Sequence, residues 1–78
     1  MPFTIDSVME AIFAHPEYTT VVIHGDSAPQ VIQSLRNRGS ETVLDGGMSS
    51  FTINGTTIIV GTTVPRHPSL SHALWLEC

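Results

Sequence analysis

The sequence predicts a small α+β domain in which two helices pack on one face of a mostly antiparallel sheet of four to five strands. The predicted order of elements is α-β-α-β-β-β, and three observations support it. The 78 residues suffice for one domain, which we place over residues 1–78. Two segments space their apolar residues as an α-helix does. The dipeptide Asn54-Gly55 separates two β-rich runs, as in a tight hairpin.

The first helix is predicted over residues 4–14. Its apolar residues recur with the spacing of one helical face, at Ile5, Val8, Met9, Ile12 and Phe13. Thr4 is a suitable N-cap, because its hydroxyl can accept a hydrogen bond from a backbone N–H of the first turn. Pro16 should end the helix, since the residue before a proline avoids the α-helical conformation.

A buried strand over residues 19–24 and a second helix over residues 27–38 follow. The strand segment TTVVIH is β-branched up to its last residue, which favours a short buried strand. Asp26 or Ser27 can cap the second helix, and Gly39 is a suitable residue just beyond its end. The apolar stripe of this helix consists of Val31, Ile32 and Leu35.

Three further strands are predicted, at residues 41–44, 50–53 and 56–62. The first of them could pair in parallel with strand 19–24 through a right-handed crossover formed by the second helix. The other two form the hairpin, whose Asn54-Gly55 turn favours positive φ angles. The tail over residues 70–76 is apolar enough for a last strand or a short helix, and periodicity leaves both open.

The charge balance argues against a nucleic-acid-binding protein. Seven acidic residues stand against three arginines and no lysine, which gives a net charge of −4. Proteins that bind DNA or RNA use clustered Lys and Arg to contact phosphates, so we predict no direct nucleic-acid binding. A mildly acidic surface would suit a basic protein partner, and it would equally serve solubility.

Cysteine usage and the N-terminus favour an intracellular, reducing location. Cys78 is the only cysteine, so no disulfide can form within the chain. The N-terminal segment MPFTIDSVME has acidic residues where a signal peptide has basic ones, and polar residues interrupt its apolar positions. We therefore predict neither an export signal nor contact with a membrane.

One segment resembles an enzyme motif. Residues 19–27, TTVVIHGDS, are similar to the first block of the GDSL-type esterases, in which the serine is the nucleophile, and the resemblance would give that role to Ser27. Those enzymes also carry a later Asp-x-x-His block, whereas no Asp stands three residues before His67 or His72. A strand–Gly–Asp–Ser–helix junction is also typical of N-capping. We predict that Ser27 is a structural cap and that the protein is not an enzyme.

The histidines and the cysteine raise the question of a metal site. Their spacings match no tetrahedral zinc motif, and the best three ligands would be His67, His72 and Cys78. We predict no metal site and no other cofactor.

Residues for binding a protein partner are predicted in the hairpin and in the C-terminal part, at Thr52, Asn54, Thr57, Arg66 and Trp75. The Thr-rich hairpin suits a solvated sheet face and a strand edge that can pair with another chain. Trp75 lies in the apolar tail, where it can be either a core anchor that closes the sheet or an exposed anchor for a partner.

Residues 19–65 resemble part of the axial domain of the major capsid proteins of tailed phages. The resemblance rests on VVIHGDSAPQVIQSL as strand and helix, DGGMSS as a glycine-rich loop, and INGTTIIVGTTVP as a hairpin that leads to a proline. A complete capsid protein is several times longer, and its spine helix and peripheral domain have no counterpart in this sequence. The resemblance implies a phage or mobile-element protein that is capsid-related or capsid-associated, located in the virion or in the host-cell cytoplasm.

We therefore predict a small non-enzymatic protein-interaction module. Its partner would be another copy of the chain, giving a homo-oligomer, or a protein of the host. An alternative is an inhibitor of a host defence system, of the anti-CRISPR type. Such inhibitors are short, often acidic and free of active-site motifs, as this chain is.

Overall fold

The computed structural model describes residues 4–78 apart from the side chain of Ile5. The elements are α1 (Ile5–Ala14), β1 (Thr20–His24), α2 (Ala28–Arg36), β2 (Glu41–Val43), β3 (Ser49–Ile53), β4 (Thr56–Gly61), a 3-10 turn (Pro68–Leu70) and β5 (Leu74–Glu77). The predicted helices and strands are present, and their ends agree with the prediction to within two residues. The tail, which was left open, contains both a short helical turn and a strand.

The helices begin and end through local hydrogen bonds. Thr4 caps α1 as predicted, because its hydroxyl accepts the Ser7 N–H at 3.2 Å and the Ser7 hydroxyl accepts the Thr4 N–H at 3.1 Å. Ser27 holds the N-cap position of α2, but its side chain makes no capping hydrogen bond. Gly39 follows α2 as predicted and donates its N–H to the Leu35 carbonyl at 3.1 Å. Among residues 4–78, no helix combines the length and the apolar character that a membrane span needs.

The five strands form one mixed sheet in the order β2-β3-β4-β1-β5. Strands β2, β3 and β4 are joined by two antiparallel pairings, and β1 lies parallel to both β4 and β5. The α+β class with two helices and five strands is confirmed, although the sheet has as many parallel pairings as antiparallel ones.

The predicted parallel pair between β1 and β2 does not form, because β3 and β4 lie between them. Strands β1 and β4 have no exposed residue and lie side by side within the sheet, as continuous apolar runs do in sheets covered on both faces. Strand β2 is short and exposes Thr42, which suits a sheet edge.

Both helices pack on one face of the sheet, which we call the inner face. Val21, Ile58 and Phe51 are register partners on three neighbouring strands and are nearly inaccessible to solvent. The helical residues of the same core cluster are Val8, Ile12, Ala28, Val31 and Leu35. A single core between two helices and one sheet face therefore holds the domain together.

The apolar face of α1 is narrower than predicted. Val8 and Ile12 are buried, and Met9 packs against the core from its margin. Phe13, in contrast, leaves 63% of its surface exposed. Successive helical residues are rotated by about 100°, so a stripe centred on Val8 and Ile12 leaves Phe13 beside the core. The predicted contribution of the Ile5 side chain lies outside the described residues.

The opposite face of the sheet, the outer face, is partly covered by the chain itself. Val22, Ile59 and Trp75 are register partners on this face. Val22 is fully buried, and Val64, from the segment 62–73 that follows β4, is only 7% exposed. This segment therefore forms a partial second layer over the outer face.

The hairpin turn is confirmed, but its strands do not offer a free edge. Asn54 and Gly55 have φ angles of +52° and +79°, as a tight hairpin turn requires. Strand β3 lies between β2 and β4, and β4 lies between β3 and β1. The predicted strand edge at the hairpin is therefore wrong, because neighbours on both sides satisfy the backbone groups of these strands.

Candidate functional site

The side chain of Trp75 is the centre of a cluster at the β5 end of the outer face. Its indole N–H donates to the Leu70 carbonyl at 3.2 Å. The Arg66 guanidinium lies 4.3 Å from the ring centre, and the His24 ring meets the indole edge-on at 5.5 Å. We call Trp75, Arg66 and His24 the tryptophan corner. Trp75 is thus half-buried on β5, where segment 62–73 covers part of its ring. It is neither a full core anchor nor a fully exposed side chain.

A small pocket opens on the outer face between β4 and segment 62–73. Its volume is about 240 Å³, and its walls include Leu44, Met48, Ile59 and Val64, with His67 and Leu70 at the margin. Nearly all of the exposed wall is carbon, so we call this cavity the apolar pocket. A pocket of this size and lining can hold one large apolar side chain.

A second cavity of about 320 Å³ lies beside the tryptophan corner. It shares His67 and Leu70 with the apolar pocket, and its walls include Arg66 and Trp75. The two cavities therefore adjoin each other, and we call them together the outer-face groove. It is apolar at one end and lined by a cation and an aromatic ring at the other.

Arg66 gives this groove a positive charge in a chain with a net charge of −4. The guanidinium of Arg36 is bound to the Glu41 carboxylate at 2.7 Å. Arg66, by comparison, has no carboxylate within ion-pair distance among residues 4–78, and its side chain is exposed. A ligand carboxylate could therefore bind Arg66 without displacing an internal partner.

The predicted binding residues lie on the same side of the molecule, with one at the hairpin tip. Thr52 and Thr57 are register partners on the outer face, and they lie toward the hairpin end of the groove. Arg66 and Trp75 are in direct contact at the other end of that face. Asn54 occupies the exposed turn that joins β3 and β4. The structure thus places four of these residues on the outer face and Asn54 in the turn, and their binding to a partner stays a prediction.

Sequence reasoning missed the residues that complete the groove. They are His24, Leu44, Met48, Ile59 and His67, which come from four separate segments of the chain. One signal was available, since the apolar runs in β1 and β4 are continuous and do not alternate with polar residues. Such runs are typical of strands covered on both faces, which predicts a second layer over the sheet.

The structure places no base beside the serine of the esterase-like segment among the described residues. Within the described part of the chain, no histidine is hydrogen-bonded to the Ser27 hydroxyl, which would need such a base to act as nucleophile. Burial raises the pKa of the neighbouring Cys78 thiol, and the charge of Asp26 acts in the same direction. Among residues 4–78, no three His, Cys, Asp or Glu side chains gather as metal ligands, so His67 and His72 do not join Cys78 in such a group.

Another cavity, of about 230 Å³, lies on the other side of the sheet beside α2. Its walls include Pro29, Ile32 and Arg36. The Arg36 guanidinium is held by Glu41, so this cavity offers no comparable charge to a ligand. The outer-face groove is therefore the stronger candidate.

No protein-family model matches the chain, and no curated protein or solved structure is significantly similar to it. The resemblance to phage capsid proteins and the anti-defence alternative stay predictions that rest on the sequence features described above.

Proposed function

We propose that the protein is a non-enzymatic interaction module that binds a protein partner through the outer face of its sheet. The observation that carries this proposal is the apolar pocket beside Arg66, whose charge has no carboxylate partner among residues 4–78. An apolar cavity next to an available cation suits a partner segment that presents an apolar side chain and a carboxylate.

The arrangement of the face supports this proposal. Protein interfaces have an apolar or aromatic centre within a polar rim, and Trp and Arg supply much of their binding energy. On this face, Trp75 and Arg66 stand next to the apolar pocket, while Thr52 and Thr57 provide polar surface toward the hairpin.

A binding role is also favoured over hydrolysis. The Ser27 hydroxyl has no positioned base among the described residues, and the outer-face groove contains no Ser–His pair apart from the local contact of Ser69 with His67. That contact closes the 3-10 turn, because the His67 ring also accepts the backbone N–H of Ser69 at 3.1 Å.

The test is affinity capture from a host lysate with wild-type protein and two charge-reversal variants. Arg66→Glu reverses the charge in the groove, and Arg38→Glu makes the same change beyond the end of α2, away from the outer face. We expect the wild type and Arg38→Glu to retain the same protein and Arg66→Glu to lose it. Equal capture by both variants would show that the outer face is not the binding surface.

The identity of the captured protein separates the two partner classes predicted from the sequence. A capsid-associated role would give capture of particle components and co-sedimentation with particles. An inhibitor of host defence would give a stable complex with one host protein. The esterase interpretation has its own test, since hydrolysis of a simple ester should disappear in Ser27→Ala.

A further inference from the structure

We propose that the outer-face groove binds a second copy of this chain, and that Phe13 from α1 of one protomer enters the apolar pocket of the next. This inference rests on the proposed function, since it uses the same face and names one of its partners.

Phe13 is a large apolar side chain that α1 leaves exposed to solvent. It is 63% exposed, and only Val43 among the large apolar residues of the described chain is similarly exposed. The acidic residues Asp6 and Glu10 are exposed on the same side of α1, because positions three and four apart lie above one another on a helix. Neither forms an ion pair among residues 4–78. The helix therefore presents one aromatic ring beside two carboxylates.

The groove is complementary to this surface in chemistry and in charge. The apolar pocket has a volume of about 240 Å³ and a wall that is almost entirely carbon, which suits an aromatic ring. Arg66 lies beside it, exposed and without a carboxylate partner in the described residues. Inserting Phe13 into the pocket would bring Glu10 toward Arg66, so apolar burial and ion pairing would occur in one contact.

The two surfaces lie on opposite sides of the same molecule. Helix α1 packs on the inner face through Val8 and Ile12, whereas the pocket opens on the outer face. One protomer therefore cannot fill its own pocket, and two protomers joined in this way still leave one ring and one pocket free. Contacts of this head-to-tail kind produce rings when they close and filaments when they do not. Because a single anchor buries little surface, we expect association at concentrations of about 0.1–1 mM.

The experiment measures the sedimentation of the intact chain from about 10 µM to 1 mM. We expect the average mass of the wild type to rise with concentration and to fall when salt is added. Phe13→Ala should weaken association at least tenfold, whereas Val43→Ala, which removes the other exposed apolar side chain, should leave it unchanged. Arg66→Glu should weaken association, and Glu10→Arg in that background should restore it. Circular dichroism of each variant verifies that the fold is retained.

A mixing experiment identifies the head-to-tail arrangement. Phe13→Ala keeps the pocket but lacks the ring, and Arg66→Glu keeps the ring but has an altered groove. Each variant alone should stay monomeric, because each is deficient at one of the two surfaces. The intact ring of one can still enter the intact pocket of the other, so an equimolar mixture should form heterodimers and nothing larger. The single tryptophan, Trp75, lies beside the pocket, so its fluorescence reports occupancy in the same samples.

Three results would overturn the inference: a wild type that stays monomeric at 1 mM, association that survives Phe13→Ala, or equal losses in Phe13→Ala and Val43→Ala. If the wild type stays monomeric while lysate capture still depends on Arg66, the self-association inference falls and the proposed function stands. A third outcome is that Phe13→Ala reduces association, whereas Arg66→Glu changes neither association nor capture. In that case the groove is not the binding surface, and both the proposed function and the self-association inference are wrong.

Discussion

Gly25 is the position at which a single added methyl group should separate β5 from the rest of the sheet. Its φ angle is +140°, a conformation that residues with a side chain rarely adopt. A Cβ atom at this position would overlap the backbone carbonyl oxygen of Cys78, and neither atom can move away without moving the main chain. Gly25→Ala can therefore be accommodated only if the chain after β5 moves away from β1.

The expected loss of unfolding free energy in Gly25→Ala has two contributions. The unfavourable φ angle costs about 1–2 kcal/mol for a residue with a Cβ atom. Moving Cys78 also breaks the hydrogen bond from its N–H to the His24 carbonyl, which is 2.9 Å long and contributes about 1 kcal/mol. We therefore expect Gly25→Ala to lower the free energy of unfolding by about 2–3 kcal/mol. A domain of this length has a total stability of only about 4–12 kcal/mol.

Gly46→Ala is the matched control. Gly46 also has a positive φ angle, +80°, but an added Cβ atom would meet nothing within 4 Å. This variant should lose only the conformational contribution of about 1 kcal/mol. Urea unfolding followed by circular dichroism gives both free energies, and the emission of Trp75 on β5 reports whether that strand separates first. Equal losses in the two variants, or an undisturbed Trp75 signal in Gly25→Ala, would refute the steric argument.

Two further predictions concern titrating groups. The hydrogen-bonded Arg36 guanidinium lowers the pKa of Glu41 in the folded chain. The stability that Glu41 contributes is therefore complete above its unfolded pKa, and it is lost as the pH falls through its folded pKa. Urea unfolding between about pH 7 and pH 3 should therefore show a weaker loss of stability on acidification in Glu41→Gln than in the wild type. An identical acid profile in Glu41→Gln would contradict this assignment. Burial raises the pKa of the Cys78 thiol, although the nearby Ser27 N–H acts in the opposite direction. A thiol reagent near pH 8 should therefore react faster with urea-unfolded protein than with folded protein. Equal rates in the two states would show that the folded thiol is not protected.

The candidate site shows where sequence reasoning stops. The prediction named Arg66 and Trp75 but not the contact between them, and it gave no indication that His24 would meet the same ring. These residues lie on three separate segments, and their approach depends on β1 and β5 pairing in parallel. A parallel pairing between strands so distant in sequence leaves no turn or periodicity from which it can be recognised.

The sequence by itself determined the features that depend on neighbours within a few residues. The N-cap at Thr4 and the hairpin turn at Asn54-Gly55 form as predicted, because short-range sterics and hydrogen bonds decide them. Only the tertiary structure decided the strand order, the exposure of Phe13 and the groove beside Trp75. These depend on competition among all apolar segments for two limited faces of one sheet. That competition is settled by the total surface buried, which no single stretch of sequence contains.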